Sequence, residues 1–407
     1  MNIVLSGPFG MGSLSDEIVL AGILKPLRAA KHAVTVLSAN KVATEKMHGG
    51  VAVELPSPAS LLSTPDAWKA LAEAHLFVIG GAGVVSDKGK FPARVWLAQL
   101  EHVKQLKIPT AVIGAGAIFI SDKKEQVRAQ RLLHHFADGI SVRDEASKEA
   151  LIAMAISANR VSFIGDPTLS LHDAKRLQPP EASVKRVAFL FADGVPLRQT
   201  YAPEPTLAPA PLSTGLNTVL KEFAAQGIKA VIFHDDTRQN IKLARAIAEG
   251  AGADGVELKS ARGPFEALRT AMSGCSAALT DTLHGLLFAA VHGVPVVYLH
   301  DSHASQTPVE KTGLAAGVLN ANAGMFDAQQ ARELVLALLQ QDAKRDERLK
   351  HTAILVRREA QNERMLERLV PKRLRYPKRK EDFIREEREK EAESRGGARK
   401  SPRWNRV

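Results

Sequence analysis

Short apolar, often β-branched runs alternate with longer amphipathic stretches along most of the chain, and that alternation sets the fold class. Strands are predicted over Ile3–Ser6, Ala33–Ser38, Leu76–Gly80, Thr110–Ile113, Gly139–Val142 and Val161–Ile164. Between them lie helical patterns such as Asp16–Ala30, Pro92–Leu106, Lys123–Phe136 and Glu145–Ala155. Buried strands that alternate with helices of this length imply an α/β fold with a parallel sheet and crossover connections. The pattern pauses at Leu177–Ser183 and resumes with Val187–Phe191, Ala230–His234, Gly255–Leu258, Ala277–Thr280 and Val294–Leu299. The expectation is two doubly wound, Rossmann-like domains facing a cleft, residues 1–178 and 183–325. Repeated prolines between Val195 and Ser213 mark an irregular insertion in the second. Residues 326–370 read as C-terminal helices. Residues 371–407 read as a charged, disordered tail, poor in the apolar surface needed to offset ordering entropy.

Charge changes this picture in one respect. The formal net charge is +11, yet residues 344–407 hold 22 Lys and Arg against 12 Asp and Glu, and the rest holds 33 against 32. The body is therefore close to neutral, which argues against nucleic acid as a partner. The basic tail reads as a solvated extension that could touch an anionic membrane surface peripherally. No apolar run approaches the ~20 residues that span a bilayer. Met1-Asn-Ile-Val-Leu-Ser6 reads as a first strand rather than a leader, and the single cysteine, Cys275, excludes an intrachain disulfide. A cytoplasmic location is expected.

Candidate chemistry gathers where strands run into helices. Thr280-Asp-Thr-Leu-His284 delivers an imidazole to the start of an apolar helix, where unpaired N–H groups and the helix dipole favour anions. His284 could serve there as a proton donor, or simply cap and pack. The first turn, Gly7-Pro-Phe-Gly10-Met-Gly12 followed by Ser13-Leu-Ser15-Asp16-Glu17, lets backbone approach a phosphate or sugar. Its glycine order differs from the dinucleotide fingerprint, and the second strand ends without an acidic residue, so an NAD site is not expected. The competing reading is a tight turn capped by Ser13 or Ser15. Gly80-Gly81-Ala-Gly83 and Gly114-Ala-Gly116 follow two further strands, so three glycine turns share one sheet edge and predict a cleft. Arg143 and Asp166 arrive at the same edge. Arg143 could clamp an anion or pair with Asp144 or Glu145, and Asp166 could stabilise the turn before Pro167. His234-Asp-Asp236 ends a strand without a matching ligand pair elsewhere, which favours cleft lining or helix capping over a metal.

The ordered set of these motifs, together with Leu283-His284, Phe288-Ala289 and Gly293-Val-Pro295, resembles the polysaccharide pyruvyl transferase family over roughly residues 1–320. The resemblance implies a GT-B-like fold and transfer of a pyruvyl group from phosphoenolpyruvate to a sugar, forming a ketal without metal or cofactor. It implies His284 as general acid, with Asp16 or Glu17 accepting the acceptor's proton. Gly10, Gly12, Ser13, Gly81, Gly83, Gly116, Arg143, Asp166, His234, Thr282, Leu283 and Lys311 would line the substrate sites. Two positions depart from the family pattern. Its Arg-Leu-His is Thr282-Leu283-His284 here, and its Gly-Asn-Leu-Gly-Asp-Glu is Gly12-Ser-Leu-Ser-Asp-Glu17. An altered donor, a nucleotide-sugar-dependent glycosyltransferase and a non-catalytic sugar-phosphate-binding homologue therefore stand as alternatives.

Overall fold

The protein is represented by a computed structural model that describes residues 1–87, 91–116, 118–173, 185–190, 219–235, 238–252, 255–260, 263–300, 312–320, 328–340 and 342–369. The boundary expected near residue 180, the proline-rich insertion, Lys311 and the tail from Pro371 lie outside the described residues.

Two all-parallel sheets organise the chain. The first comprises β1 (Asn2–Ser6), β2 (Ala33–Ser38), β3 (Val51–Glu54), β4 (Leu76–Gly80), β5 (Thr110–Ala115), β6 (Gly139–Val142) and β7 (Val161–Phe163), in the order β3-β2-β1-β4-β5-β6-β7. The second comprises β8 (Arg186–Leu190), β9 (Lys229–His234), β10 (Val256–Ser260), β11 (Ala277–Thr280), β12 (Val296–His300) and β13 (Gly317–Asn320), in the order β10-β9-β8-β11-β12-β13. Each order reverses once, at β1/β4 and at β8/β11, and such switch points are where open α/β sheets admit ligands at the strands' carboxyl ends. The apolar pattern predicts no strand for β3 or β13. Both lie at sheet edges, with only Ala52 and Leu319 buried, so neither carries the apolar run of a central strand.

Side-chain alternation gives each sheet two cores. In the first, Val4, Phe77, Ile79 and Val112 pack on one face with Trp96, Leu97 and Leu100, and Ile3, Leu5, Leu76 and Val78 pack on the other. That second face is covered by helix Leu14–Ala29 through Leu20, Ile23, Leu24 and Leu27. The same helix turns Leu14, Ile18 and Ala21 toward Phe265, Leu286 and Phe288 of the second half. It is apolar on two sides because it is packed between the two halves. Each large apolar side chain so buried contributes roughly 1.5–3 kcal/mol.

The expected C-terminal helices are three: Ala328–Gln340, Arg345–Glu359 and Gln361–Leu369. The first packs on the second sheet through Ala331 and Val335. The last returns to the first sheet, where Leu366 joins the Leu20–Leu24 core and Leu369 lies against Gly139. Among the described residues, no helix is long and apolar enough to cross a membrane.

Candidate functional site

The glycine turn after β1 is held by a buried brace. Gly10 and Gly12 have φ of 72° and 89°, the left-handed region that favours glycine, and a Cβ on Gly10 would lie 2.1 Å from Ser38 Oγ. The Gly10 N–H donates to Glu17 Oε1 at 2.7 Å, and Glu17 Oε2 meets His48 Nε2 at 2.7 Å. The His48 ring stacks on Phe265 at 5.5 Å. Both Glu17 oxygens are thereby engaged in holding the turn. Ser13 caps the helix by accepting the Asp16 N–H at 3.3 Å. From the second sheet, Asp235 Oδ1 accepts the Leu14 N–H at 2.5 Å, a cap supplied across the cleft. Its neighbour His234, at the end of β9, is buried, and its Nδ1–H donates to the Asp235 carbonyl at 2.9 Å.

His284 is the second residue of helix Leu283–Ala290, which starts directly after β11. Thr282 caps that helix, its Oγ1 accepting the Gly285 N–H at 2.9 Å, while its own N–H donates to Thr280 Oγ1 at 3.2 Å. Gly285 is required because a Cβ there would lie 2.2 Å from Thr280 Oγ1. Of the four N–H groups a helix start leaves unpaired, those of Leu283 and His284 have no partner among the described residues once these two caps are made.

Asp166 faces His284 from the first half. Its Oδ2 lies 3.4 Å from His284 Nε2, with the two side chains 4% and 11% exposed. Neither atom makes a hydrogen bond within the described residues, whereas Asp166 Oδ1 accepts the Thr168 N–H at 2.9 Å. Burial alone would raise the Asp166 carboxyl. The facing His284 outweighs it, helped by Arg143 and the Thr168 N–H, and holds the group down at about 2. Asp166 reaches this position because its loop lies tightly on the first helix. A Cβ at Gly22 would stand 2.2 Å from the Pro167 carbonyl oxygen.

Asp16, the third residue of the first helix, lies within range of the His284 charge. Burial pushes its carboxyl up to about 7, against the pull of His284 and Ser13 and with the push of Glu17 and Asp235. A carboxyl that titrates near neutrality can both accept and release a proton under physiological conditions.

Arg143 is tethered rather than free. Its Nε pairs with Asp144 Oδ2 at 3.0 Å, and it lies across Gly116, where a Cβ would come 2.1 Å from Nε. Gly81, at φ 122°, and Gly116 join the adjacent turns through the Gly116 N–H to the Ala82 carbonyl at 2.9 Å, and among the described residues nothing lies within 4 Å of where a Gly83 Cβ would be. Leu283 packs partly buried against the second core. The structure therefore brings Asp16, Asp166 and His284 together, ranges Arg143 and the glycines on the first sheet's rim, and uses Thr282 and Ser13 as caps.

One group beside the site had no signal in sequence. Glu359 comes from the charged C-terminal helices and lies against Gly165, the residue before Asp166. Asn362 joins it to the sheet: its Oδ1 accepts the Ser141 hydroxyl at 2.6 Å, and the Ser141 Oγ accepts the Gly114 N–H at 3.1 Å. Burial raises the Glu359 carboxyl to about 8, with the Asp166 charge adding to the rise.

Solved structures share this architecture over nearly the whole chain. The Anabaena protein Alr3699/HepE, crystallised with UDP, superposes with a TM-score of 0.54 at 14% identity, covering 90% of this chain and 100% of its own. A putative UDP-N-acetylglucosamine 2-epimerase from Listeria monocytogenes gives 0.55 at 14% identity over 86% and 91% of the two chains. A glycosyltransferase from Rickettsia africae gives 0.53 at 9% identity over 91% and 99%. These likenesses establish a GT-B-like fold. No curated protein matches the sequence. The profile described as polysaccharide pyruvyl transferase does match, over residues 16–303, from Asp16 past His284. By that match over most of its length, the chain belongs to the polysaccharide pyruvyl transferase family.

Proposed function

We propose that this chain is a cytoplasmic transferase that moves a pyruvyl group from phosphoenolpyruvate to two hydroxyls of a sugar in a cell-surface polysaccharide or its precursor. The observation that carries the reading is the convergence of Asp166 and Asp16 on His284, with the facing atoms of Asp166 and His284 3.4 Å apart and without another partner among the described residues. The first half, residues 1–178, receives the acceptor, and the second, residues 183–325, receives the donor. The C-terminal helices join them.

In this reading His284 protonates the methylene carbon of phosphoenolpyruvate, and the ionised Asp166 stabilises the imidazolium before the transfer. One acceptor hydroxyl adds to C2, the C2–phosphate bond breaks, and the second hydroxyl closes the ketal. Of the two hydroxyl protons, one returns to His284 by way of Asp16 and the other leaves on phosphate. The donor's anionic groups would meet the N–H groups at the start of the Leu283–Ala290 helix and Arg143, with Lys311 a further candidate cation from the sequence.

A second reading has its own support. Thr282 brings no charge where the family has arginine, and the structural relatives include a protein solved with UDP. Under it, the same cleft takes a nucleotide sugar. The two readings separate in one assay. Phosphoenolpyruvate plus a sugar acceptor should release phosphate only when the acceptor is present. Release of UDP from a UDP-sugar, with no phosphate from phosphoenolpyruvate, would replace the first reading with the second.

A further inference from the structure

The basic character of the C-terminal region does not begin in the tail. Arg358, Arg364 and Arg368 belong to the packed helices Arg345–Glu359 and Gln361–Leu369. With Arg160 and Lys148 they line a groove of about 1030 Å³ along the edge strand β7, whose lining does not include His284, Asp166 or Asp16. The residues 361, 364, 365 and 368 recur at helical spacing on the groove side. The helix's acids face elsewhere, since Glu363 and Glu367 act on His32 beside the first helix.

The acids near the groove are already engaged. Asp138 is held by Lys104 Nζ at 2.5 and 2.6 Å, and Glu145 lies 3.7 Å from Lys148. Two of the cations are fixed in place: Arg160 donates to the Ala137 carbonyl at 2.7 Å, and Arg358 sits 4.6 Å above the Phe163 ring. Arg364 and Arg368 are exposed. Five cations around one groove, in a protein whose charge before residue 344 is nearly balanced, form a local site for anions.

The lining also argues for the kind of anion. Met365 and Leu369, both partly exposed, supply apolar surface beside the cationic rim, which suits an amphiphile with an anionic head. A single-stranded nucleic acid would gain from aromatic faces for stacking, and Phe163 is covered by Arg358. Directly after this helix the sequence continues with Lys372, Arg373, Arg375, Lys378, Arg379 and Lys380, with no acidic residue before Glu381. We propose that this groove seats phosphate headgroups of anionic phospholipid and docks this face of the protein on a membrane surface. The inference is independent of the donor, because none of these residues belongs to the His284 site.

The test uses the full chain sedimented with vesicles of equal parts phosphatidylglycerol and phosphatidylcholine, and with phosphatidylcholine alone. Wild type should bind the anionic vesicles and ignore the neutral ones. Arg364→Ala combined with Arg368→Ala, with the tail intact, should bind about thirty-fold more weakly. Its unfolding temperature should not change, since both side chains are exposed. Unchanged binding in that variant would overturn the groove and assign the contact to the tail. A wild type that binds duplex DNA but not the anionic vesicles would overturn the lipid assignment.

Discussion

Glu17–His48 and Asp166–His284 pair the same two chemical groups in one molecule, at 2.7 Å and 3.4 Å. In the first pair both carboxylate oxygens are satisfied, one by a backbone N–H and one by the ring, and the ring is stacked on Phe265. In the second, the facing oxygen and nitrogen lie 3.4 Å apart and have no other partner among the described residues, and a carboxyl raised to about 7 lies within reach of the His284 charge. A satisfied buried pair fixes geometry. An unsatisfied one keeps donor and acceptor capacity for a ligand, and natural cores rarely leave such groups without a reason. The difference between the two pairs therefore lies in what each leaves unfinished, not in its residue types.

The largest effect should come from the open pair. His284→Gln is expected to lower turnover by roughly 10²–10⁴, the usual scale for losing a general acid, with little change in thermal unfolding. Wild-type turnover in that variant would remove His284 from the chemistry.

Next in size is the pH dependence that Asp16 imposes. Its carboxyl titrates near 3.8 when unfolded and at about 7 when folded, so the native state disfavours its ionisation. The cost is absent below the unfolded value, grows as pH rises from about 4 to 7, and is complete above that. Asp16→Asn should remove it, giving stability on the order of 4 kcal/mol greater at pH 8 relative to wild type, after subtracting the difference at pH 3.5. Denaturant unfolding at the two pH values measures this, and an equal difference at both would show that Asp16 is not held neutral. Glu359, raised to about 8, should extend the alkaline decline by the same sign of argument, and Glu359→Gln should flatten it.

The closed pair should respond in stability instead. Glu17→Ala leaves the Gly10 N–H and the His48 ring unpaired and is expected to cost about 1–3 kcal/mol. Glu17→Gln, which can still accept from Gly10 and donate to His48, should be close to silent. A large loss of turnover with unchanged stability in Glu17→Gln would give Glu17 a chemical role and erase the contrast.

How far all this was legible in sequence follows from what each feature depends on. The buried central strands announced themselves as continuous apolar runs, and His284, Asp16 and Asp166 could be placed at strand ends by counting along the pattern. The edge strands β3 and β13 lack that burial and left no run to read. The ambiguity at the first turn was of another kind. The adjacent acids Asp16 and Glu17 look alike in sequence, and only their different neighbours, His284 and His48, tell them apart.

The return of the C-terminal helices to the first sheet was equally hidden. Glu359 and Asn362 sit in a strongly charged segment whose sequence reads as solvent-facing. Their burial comes from contacts with residues far away in the chain, such as Ser141.

The smallest expected effect sharpens the donor side of the open pair. Thr282 caps its helix, so Thr282→Arg loses a cap worth about 1 kcal/mol while adding a guanidinium beside the anion-facing N–H groups. If phosphoenolpyruvate is the donor, its KM should fall in this variant. An unchanged KM would mean that another group already grips the anion.

The central claim is that the Asp166–His284 pair performs the transfer and the Glu17–His48 pair only holds the loop. The most direct test is acceptor-dependent phosphate release from phosphoenolpyruvate, measured side by side in wild type, Asp166→Asn and Glu17→Gln. The account predicts that Asp166→Asn loses about 10²-fold or more in turnover, because its imidazole is no longer oriented and stabilised by a carboxylate, and that Glu17→Gln stays within a few-fold of wild type. Equal losses in the two variants, or wild-type turnover in Asp166→Asn, would contradict it.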